Sequence, residues 1–297
     1  MRVTETSTFT NTILQLQRLS TGQNQLQNAL ATGQRVVRAA DDPSAVRRVI
    51  DLQSEATGLL RHQRNIASAK SIGDATFAGV DALKQMSDRA GEIAIVADGI
   101  GGESDKQAYA RELDQMIEQA LMTVNARLGE EYLFGGTATD RPPFAVERDA
   151  AGRIISVAYE GADERREIQV GERARVTPHA DPESNRELAS FVDSLIRLRD
   201  DLEEGRSPSE TGSREELAHG ENALIRLVGD IGALQFRLEA LDRQAAARLD
   251  AIEEGVSRET DADMVETIVR FNQMQNTFQA ALQSTGRLLN HSLLNYI

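Results

Sequence analysis

The chain has no cysteine and no tryptophan, and only 4% of its residues are aromatic. Without cysteine there is no disulfide, no thiolate nucleophile and no thiolate metal site. So few aromatic rings suit slender helical packing better than a thick globular core. No stretch approaches the roughly 20 apolar residues of a membrane span, and Met1 to Thr12 carry neither the basic region nor the apolar run of a secretory signal. If the protein leaves the cytoplasm, the expectation is export without a cleaved signal peptide. Basic excess is missing too: the formal net charge is -14. That argues against nucleic acid or an anionic membrane as partner, because both are held through Lys and Arg. Other proteins are the expected partners.

Catalytic patterns are equally scarce. The four histidines, His62, His179, His219 and His291, show no HExxH and no pairing at metal spacing, and each reads as a surface or partner-facing residue. Gly135-Gly136 lacks the Lys-Ser or Lys-Thr of a phosphate loop and reads as a turn, and there is no GxSxG. Carboxylate pairs such as Asp41-Asp42 and Glu203-Glu204 are expected by chance among 47 acidic residues. The expectation is a protein that is not an enzyme and has no cofactor and no metal.

What is present is helical periodicity, densest at the two ends. From Met264 the apolar positions step by fours and threes through Ile268, Phe271, Phe278, Leu282 and Leu289, with Gln275, Thr285 and Tyr296 completing the register. That is a coiled-coil seam. Near the start, Phe9, Leu16, Leu19, Leu26 and Leu30 follow the same period, with Thr12, Gln23 and Gly33 as polar or small positions. The remaining faces of both segments carry Gln, Asn, Ser and Thr, as in Asn272, Gln273, Gln275, Asn276, Gln279 and Gln283. A solvated helix face is ordinarily charged, whereas one that must pack against copies of itself cannot hold like charge without repulsion. These seams, together with Leu293, Leu294 and Ile297, are therefore expected to pack between subunits. A plain antiparallel pair closing one soluble domain explains the seams but not the missing charge.

Between the ends, 297 residues with 40% hydrophobic and 27% charged content describe a folded protein of two or three domains. After the connector Gln34 to Asp41, Asp42 can cap a helix and Pro43 can take its first position. Helical period runs on through Val46, Ile50, Leu59, Ile66, Phe77, Val80, Leu83, Ala90 and Ile93, with Gly73 and Gly79 as possible breaks. Gly99 to Gly102 end it, and Ser104 with Gln107 forms a capping box for a further helix. Ser213 with Glu216 forms another, opening a helix that runs through Leu217, Leu224, Val228, Ile231, Leu238, Leu241, Leu249 and Ile252. Residues 131 to 180 differ: Gly and Pro punctuate alternating segments at Ile154 to Tyr159 and Glu167 to Val170, with a turn at Asp149 to Gly152. Helical period returns at 187 to 203. The expected fold is mainly α with a small α+β insert, an elongated rod of long antiparallel helices whose insert projects from the far tip and emerges between helices that pair without it. The expected domains are 1–40 plus 260–297 (terminal coiled coil), 41–130 plus 211–259 (helical rod) and 131–210 (outer insert).

Several segments, in this order, resemble the flagellin family. They are Leu26 to Gly33, Arg35 to Ala40, Asp41-Asp42-Pro43-Ser44-Ala45, Gln63 to Ile66 and Ala90 to Ala97. To these add Tyr132 to Gly136 followed by Asp140 to Phe144, then Asp261 to Met264, Phe278 to Leu282, and Ser292 to Ile297 at the end. The match covers about the first 135 residues and the last 85. Flagellin itself usually lacks the proline after the paired aspartates and ends differently. The resemblance implies a structural subunit of the bacterial flagellum that joins hook to filament and is exported unfolded by the flagellar type III apparatus to an extracellular location. It implies as partners the chain itself in a ring or tubular layer, a preceding hook-associated protein on the hook side, flagellin on the filament side, and an export chaperone on the C-terminal helix. The alternatives are flagellin or a minor filament subunit, and, from another class, a cytosolic coiled-coil adaptor or hydrolase.

Overall fold

The structure, a computed structural model, describes residues 2–99 and 102–294, and the side chains of 10–99 and 102–287. Seven helices and three short hairpins follow in chain order: α1 (Arg2–Thr32), α2 (Pro43–Gly99), α3 (Glu103–Val124), β1 (Arg127–Leu128), β2 (Glu131–Tyr132), β3 (Phe144–Arg148), β4 (Ile154–Tyr159), β5 (Ile168–Gln169), β6 (Arg175–Val176), α4 (Pro182–Glu203), α5 (Pro208–Thr211), α6 (Ser213–Thr260) and α7 (Met264–Leu294). Neither Gly73 nor Gly79 interrupts α2. A Cβ on Gly79 would already touch the Phe134 ring at 3.5 Å, so this glycine serves packing rather than a break. The chain divides into two units, Met1–Thr57 with Arg248–Ile297, and Gly58–Ala247.

The second unit closes a core of its own. Val80, Leu83 and Ile93 of α2, Leu113 and Ile117 of α3, and Leu224 of α6 are fully buried there, with the amphipathic face of α4 (Phe191, Val192, Leu195, Leu198) in the same cluster. This corrects the expectation that the central insert emerges between helices pairing without it, since α4 supplies the apolar side chains that complete the helical core. The hairpin β3–β4 turns at Asp149, as its sequence suggests, with Phe144 opposite Tyr159 and Val146 opposite Val157. It is anchored to α4 where the Asp193 carboxylate accepts the Val157 amide at 3.0 Å. Burial pushes the Asp193 carboxyl above its usual range. The hairpin β5–β6 folds back on α2 and α6, placing Val170 and Val176 with Ile66, Ala69 and Leu238, so this part of the insert does not project from a tip.

Two polar groups inside this unit are held by hydrogen bonds. The guanidinium of Arg199, almost wholly buried, donates to Asp114 at 3.0 Å, to the Ile154 carbonyl at 2.8 Å and to Asp200 at 2.6 and 2.8 Å. A buried cation left without such partners is strongly destabilising. His179 Nδ1 lies 3.0 Å from the Leu133 carbonyl. Its ring is buried, as is that of His62, which corrects the surface reading of both. Desolvation lowers the His179 pKa. His219 is exposed, and the side chain of His291 lies outside the described residues.

The expected capping boxes on α3 and α6 do not form. Helix α3 starts two residues earlier, after Gly102 with no side-chain cap. The Ser213 hydroxyl pairs instead with Thr211 at 3.2 Å, and Gly212 (φ 85°) sets the entry to α6.

Helices α4 and α6 come close at Gly220, where a Cβ would stand 2.9 Å from the Phe191 ring and 3.2 Å from its Cα, whereas Gly229 faces open space. Gly220→Val is expected to destabilise the unit by ~1–3 kcal/mol through overpacking. Gly229→Ala is expected to stabilise it by about 1 kcal/mol through helix propensity. Thermal denaturation of both variants checks this, and a Gly220→Val protein as stable as the parent would refute the crossing.

Candidate subunit-packing surface

The first unit is built around the return of the chain between its two terminal helices. Helix α1 ends as the Gly33 amide donates to the Ala29 carbonyl at 2.8 Å, and the chain crosses immediately to the end of α6. There the amides of Arg35 and Val36 both donate to the Thr260 carbonyl, at 2.7 and 3.3 Å, and Ala262 donates back to the Gly33 carbonyl at 2.8 Å. The Arg35 guanidinium reaches the Glu259 carbonyl at 2.9 Å. The carbonyls left over at a helix C-terminus need partners from outside the helix, and here the connector provides them.

Asp41 and Asp42 then turn the chain into α2. Asp41 Oδ2 accepts the amides of Val37 and Arg38 at 3.2 and 2.8 Å. Asp42 Oδ1 accepts the amides of Ser44 and Ala45 at 3.1 and 3.0 Å and the Ser44 hydroxyl at 2.7 Å, while Pro43 occupies the first helical position. That is the expected cap. Hydrogen bonds from the Ala45 amide and the Ser44 hydroxyl lower the Asp42 pKa to about 2. Alongside, Arg48 makes a two-pronged pair with Glu259 at 2.8 and 2.7 Å, and Arg248 does the same with Glu55 at 2.7 and 3.0 Å. Asp263 caps α7, accepting the amides of Val265 and Glu266 at 2.9 and 3.0 Å.

Helices α1 and α7 pack on each other. On α1 the half-buried stripe runs through Thr12, Leu16, Leu19, Gln23, Leu26, Leu30 and Gly33, the heptad register of its sequence. On α7 it runs through Thr267, Phe271, Met274, Phe278, Ala281 and Thr285. Met274 sits over Gly22, whose Cβ would lie 3.2 Å from Met274 Cε. Phe271 and Phe278 thus lie on this stripe, but Met264, Ile268 and Leu282 do not: Ile268 is 47% exposed and Leu282 is 48% exposed. With Val265 at 74% and Val269 they form a second apolar stripe open to solvent. The sequence reading missed Thr267 and Ala281, small residues overshadowed by Ile268 and Leu282 one position on, and it missed Met274, whose place in the register it gave to Gln275. It also missed Asp263, legible as an Asp just before an apolar period. The side chains of Phe9, Leu289, Leu293 and Leu294, and the whole of Ile297, lie outside the described residues.

Among the described residues of α1 and α7 only Thr267 is buried. From Phe271 to Gly286 no residue is charged, and between Ser7 and Gln34 the only charge is Arg18. Among the described residues no cluster of His, Asp and Glu is placed to hold a metal ion, and no helix is long and apolar enough to cross a membrane. The chemistry available at this surface is packing.

The chain matches the bacterial flagellin N-terminal helical region over residues 6–139 and the bacterial flagellin C-terminal helical region over residues 221–297. It is similar to flagellar hook-associated protein 3 of Escherichia coli (strain K12), with 23% identity over 277 residues that cover 86% of each chain. Among solved structures it shares its fold with a putative flagellar hook-associated protein from Vibrio parahaemolyticus (TM-score 0.65, 17% identity, 74% of this chain and 100% of that one). It shares it also with Bacillus cereus FlgL (TM-score 0.59, 16% identity, 70% and 99%).

The lowered pKa of Asp42 gives a pH dependence of definite sign. The folded chain binds this proton less readily than the unfolded chain, so the ionised cap adds stability above about pH 3.8, and that contribution is lost as pH falls through about 2. Asp42→Asn keeps a capping oxygen but not the titration. Between these pH values the melting temperature of the parent is expected to fall more steeply than that of the variant. Parallel curves would show that Asp42 does not carry the effect.

Proposed function

The chain belongs to the bacterial flagellin family, and from that membership we propose that it is the structural subunit joining hook to filament in a bacterial flagellum. The observation that carries this reading is the terminal pair: two long helices packed through a half-covered seam, with a charge-poor, partly apolar surface left outside. Such a surface suits contact with further copies in a ring or tubular layer, the coverage an isolated chain lacks. One edge of the layer would meet the preceding hook-associated protein and the other would template flagellin. Use as a filament subunit is the other role open to these helices. The likeness to hook-associated protein 3 over 86% of both chains supports the junction role instead.

Export follows from the same property. Ends that bury almost nothing gain little from folding before assembly, which suits passage in an unfolded state through the flagellar type III apparatus. An export chaperone would hold the C-terminal helix on the way. The final location is extracellular, on the flagellum.

Ile268→Glu with Leu282→Glu places carboxylates on the exposed stripe of α7, where each copy would bring like charge into the shared contact. The second unit should keep its melting temperature, while cells make hooks without attached filaments and release flagellin into the medium. Normal swimming with normal filaments would remove the support for both the packing surface and the junction role.

A further inference from the structure

The α1–α7 pair has a second side. Opposite the exposed stripe lies a cleft of about 970 Å³, lined by Leu19, Leu26 and Ala29 of α1, Val36 of the connector, and Thr267 and Met274 of α7. Its carboxylates are committed nearby: Glu266 pairs with Arg270 at 2.6 Å, and Asp41 and Asp263 accept backbone amides, while Arg35 and Arg38 add positive charge to its rim. With 3.6 residues per turn, the positions of α7 that line the cleft stand on the order of half a turn from Met264, Val265 and Ile268. One chain therefore cannot seat its own stripe in its own cleft.

We infer that the exposed stripe of α7 (Met264, Val265, Ile268, Val269) docks in the α1–α7 cleft of a second copy of this chain. The inference rests on the self-assembly reading above and adds the two surfaces that meet. Three observations select a second copy. The stripe is aliphatic, and the cleft offers Leu19, Leu26, Val36 and Met274 between polar walls that include Gln25, Asn28 and Gln273, so the contact removes apolar surface from water on both sides. Neither surface presents an uncommitted carboxylate, although the chain carries a net charge of -14, so copies approach here without the repulsion their remaining surfaces would create. The two surfaces lie on opposite flanks of one helix pair, which makes the contact heterologous: each copy gives its stripe to one neighbour and its cleft to another. Such a contact closes into a ring or winds into a tube and does not stop at a dimer.

Because the chain has no cysteine, engineered thiols report the contact without background. Full-length Ile268→Cys and Ala29→Cys chains, mixed, concentrated to assembly and mildly oxidised, should give a disulfide-linked pair at least tenfold above a mixture of Ile268→Cys with Ala233→Cys, whose thiol lies on the exposed face of α6. The double variant should give a ladder when assembled and no internal disulfide as a dilute monomer. Val265→Cys with Asn28→Cys repeats the test in case the first pair disturbs assembly. Sedimenting assemblies that show no stripe-to-cleft link with either pair would overturn the inference and leave self-assembly intact, and an internal disulfide in the monomer would also overturn it. If the parent chain does not assemble at any concentration, the self-assembly reading falls and takes this one with it.

Discussion

The end of α6 cannot satisfy itself. A helix leaves its last carbonyls without partners, and the Thr260 carbonyl takes both of its hydrogen bonds from residues more than two hundred positions earlier, Arg35 and Val36. The exchange is mutual, since Ala262 donates to Gly33 at the end of α1. The start of α7 is thereby set by the end of α1, and each terminal helix leaves the clamp alongside the other. The ion pairs Arg48–Glu259 and Arg248–Glu55 extend the same pairing of α2 with α6, but at exposed positions where solvent screening leaves little net energy. Backbone satisfaction, more than charge, fixes this part of the fold.

Beyond the clamp, the two units follow opposite rules. The second buries large apolar side chains from four helices and surrounds its one deeply buried cation, Arg199, with acceptors. The first leaves its terminal helices half covered and nearly uncharged. A charged outer face would make α1 and α7 better solvated and more stable alone, and it would also prevent them from meeting their own copies. Under the self-assembly proposed above, the composition of these helices is a cost accepted in the isolated chain for the sake of contact.

The sequence exposed some of these features and concealed others for identifiable reasons. The register of α1 was legible because four of its leucines, Leu16, Leu19, Leu26 and Leu30, are turned toward its partner, while Ile13 and Leu14 are exposed. In α7 that rule fails. Two apolar stripes overlap at Phe271 and Phe278, and the larger aliphatics Met264, Ile268 and Leu282 belong to the outer one. The Asp42-Pro43 start was legible because nothing competes for the Asp42 carboxylate. The Ser213 hydroxyl, by contrast, is taken by Thr211 two residues before it, a local competitor that the capping-box spacing does not register. The role of α4 in the main core was hidden because periodicity identifies an apolar face without saying what covers it. The uses of His62 and His179 were hidden because a lone histidine has no pattern at all.

The placing of small residues on the inner side of α7 has an energetic consequence. Fully burying a large aliphatic side chain gains about 1.5–3 kcal/mol, and ordering each backbone residue costs on the order of 1–2 kcal/mol. A seam of Thr267, Met274 and Ala281 over Gly22 lets the helices approach closely but recovers only part of that cost, because even Phe271 and Phe278 remain half exposed. The aliphatic side chains that would make up the difference within one chain point outward. In the self-assembly proposed above, coverage of that outer stripe by a neighbour adds stability where the isolated pair is short of it, which couples the order of α1 and α7 to the presence of the next subunit.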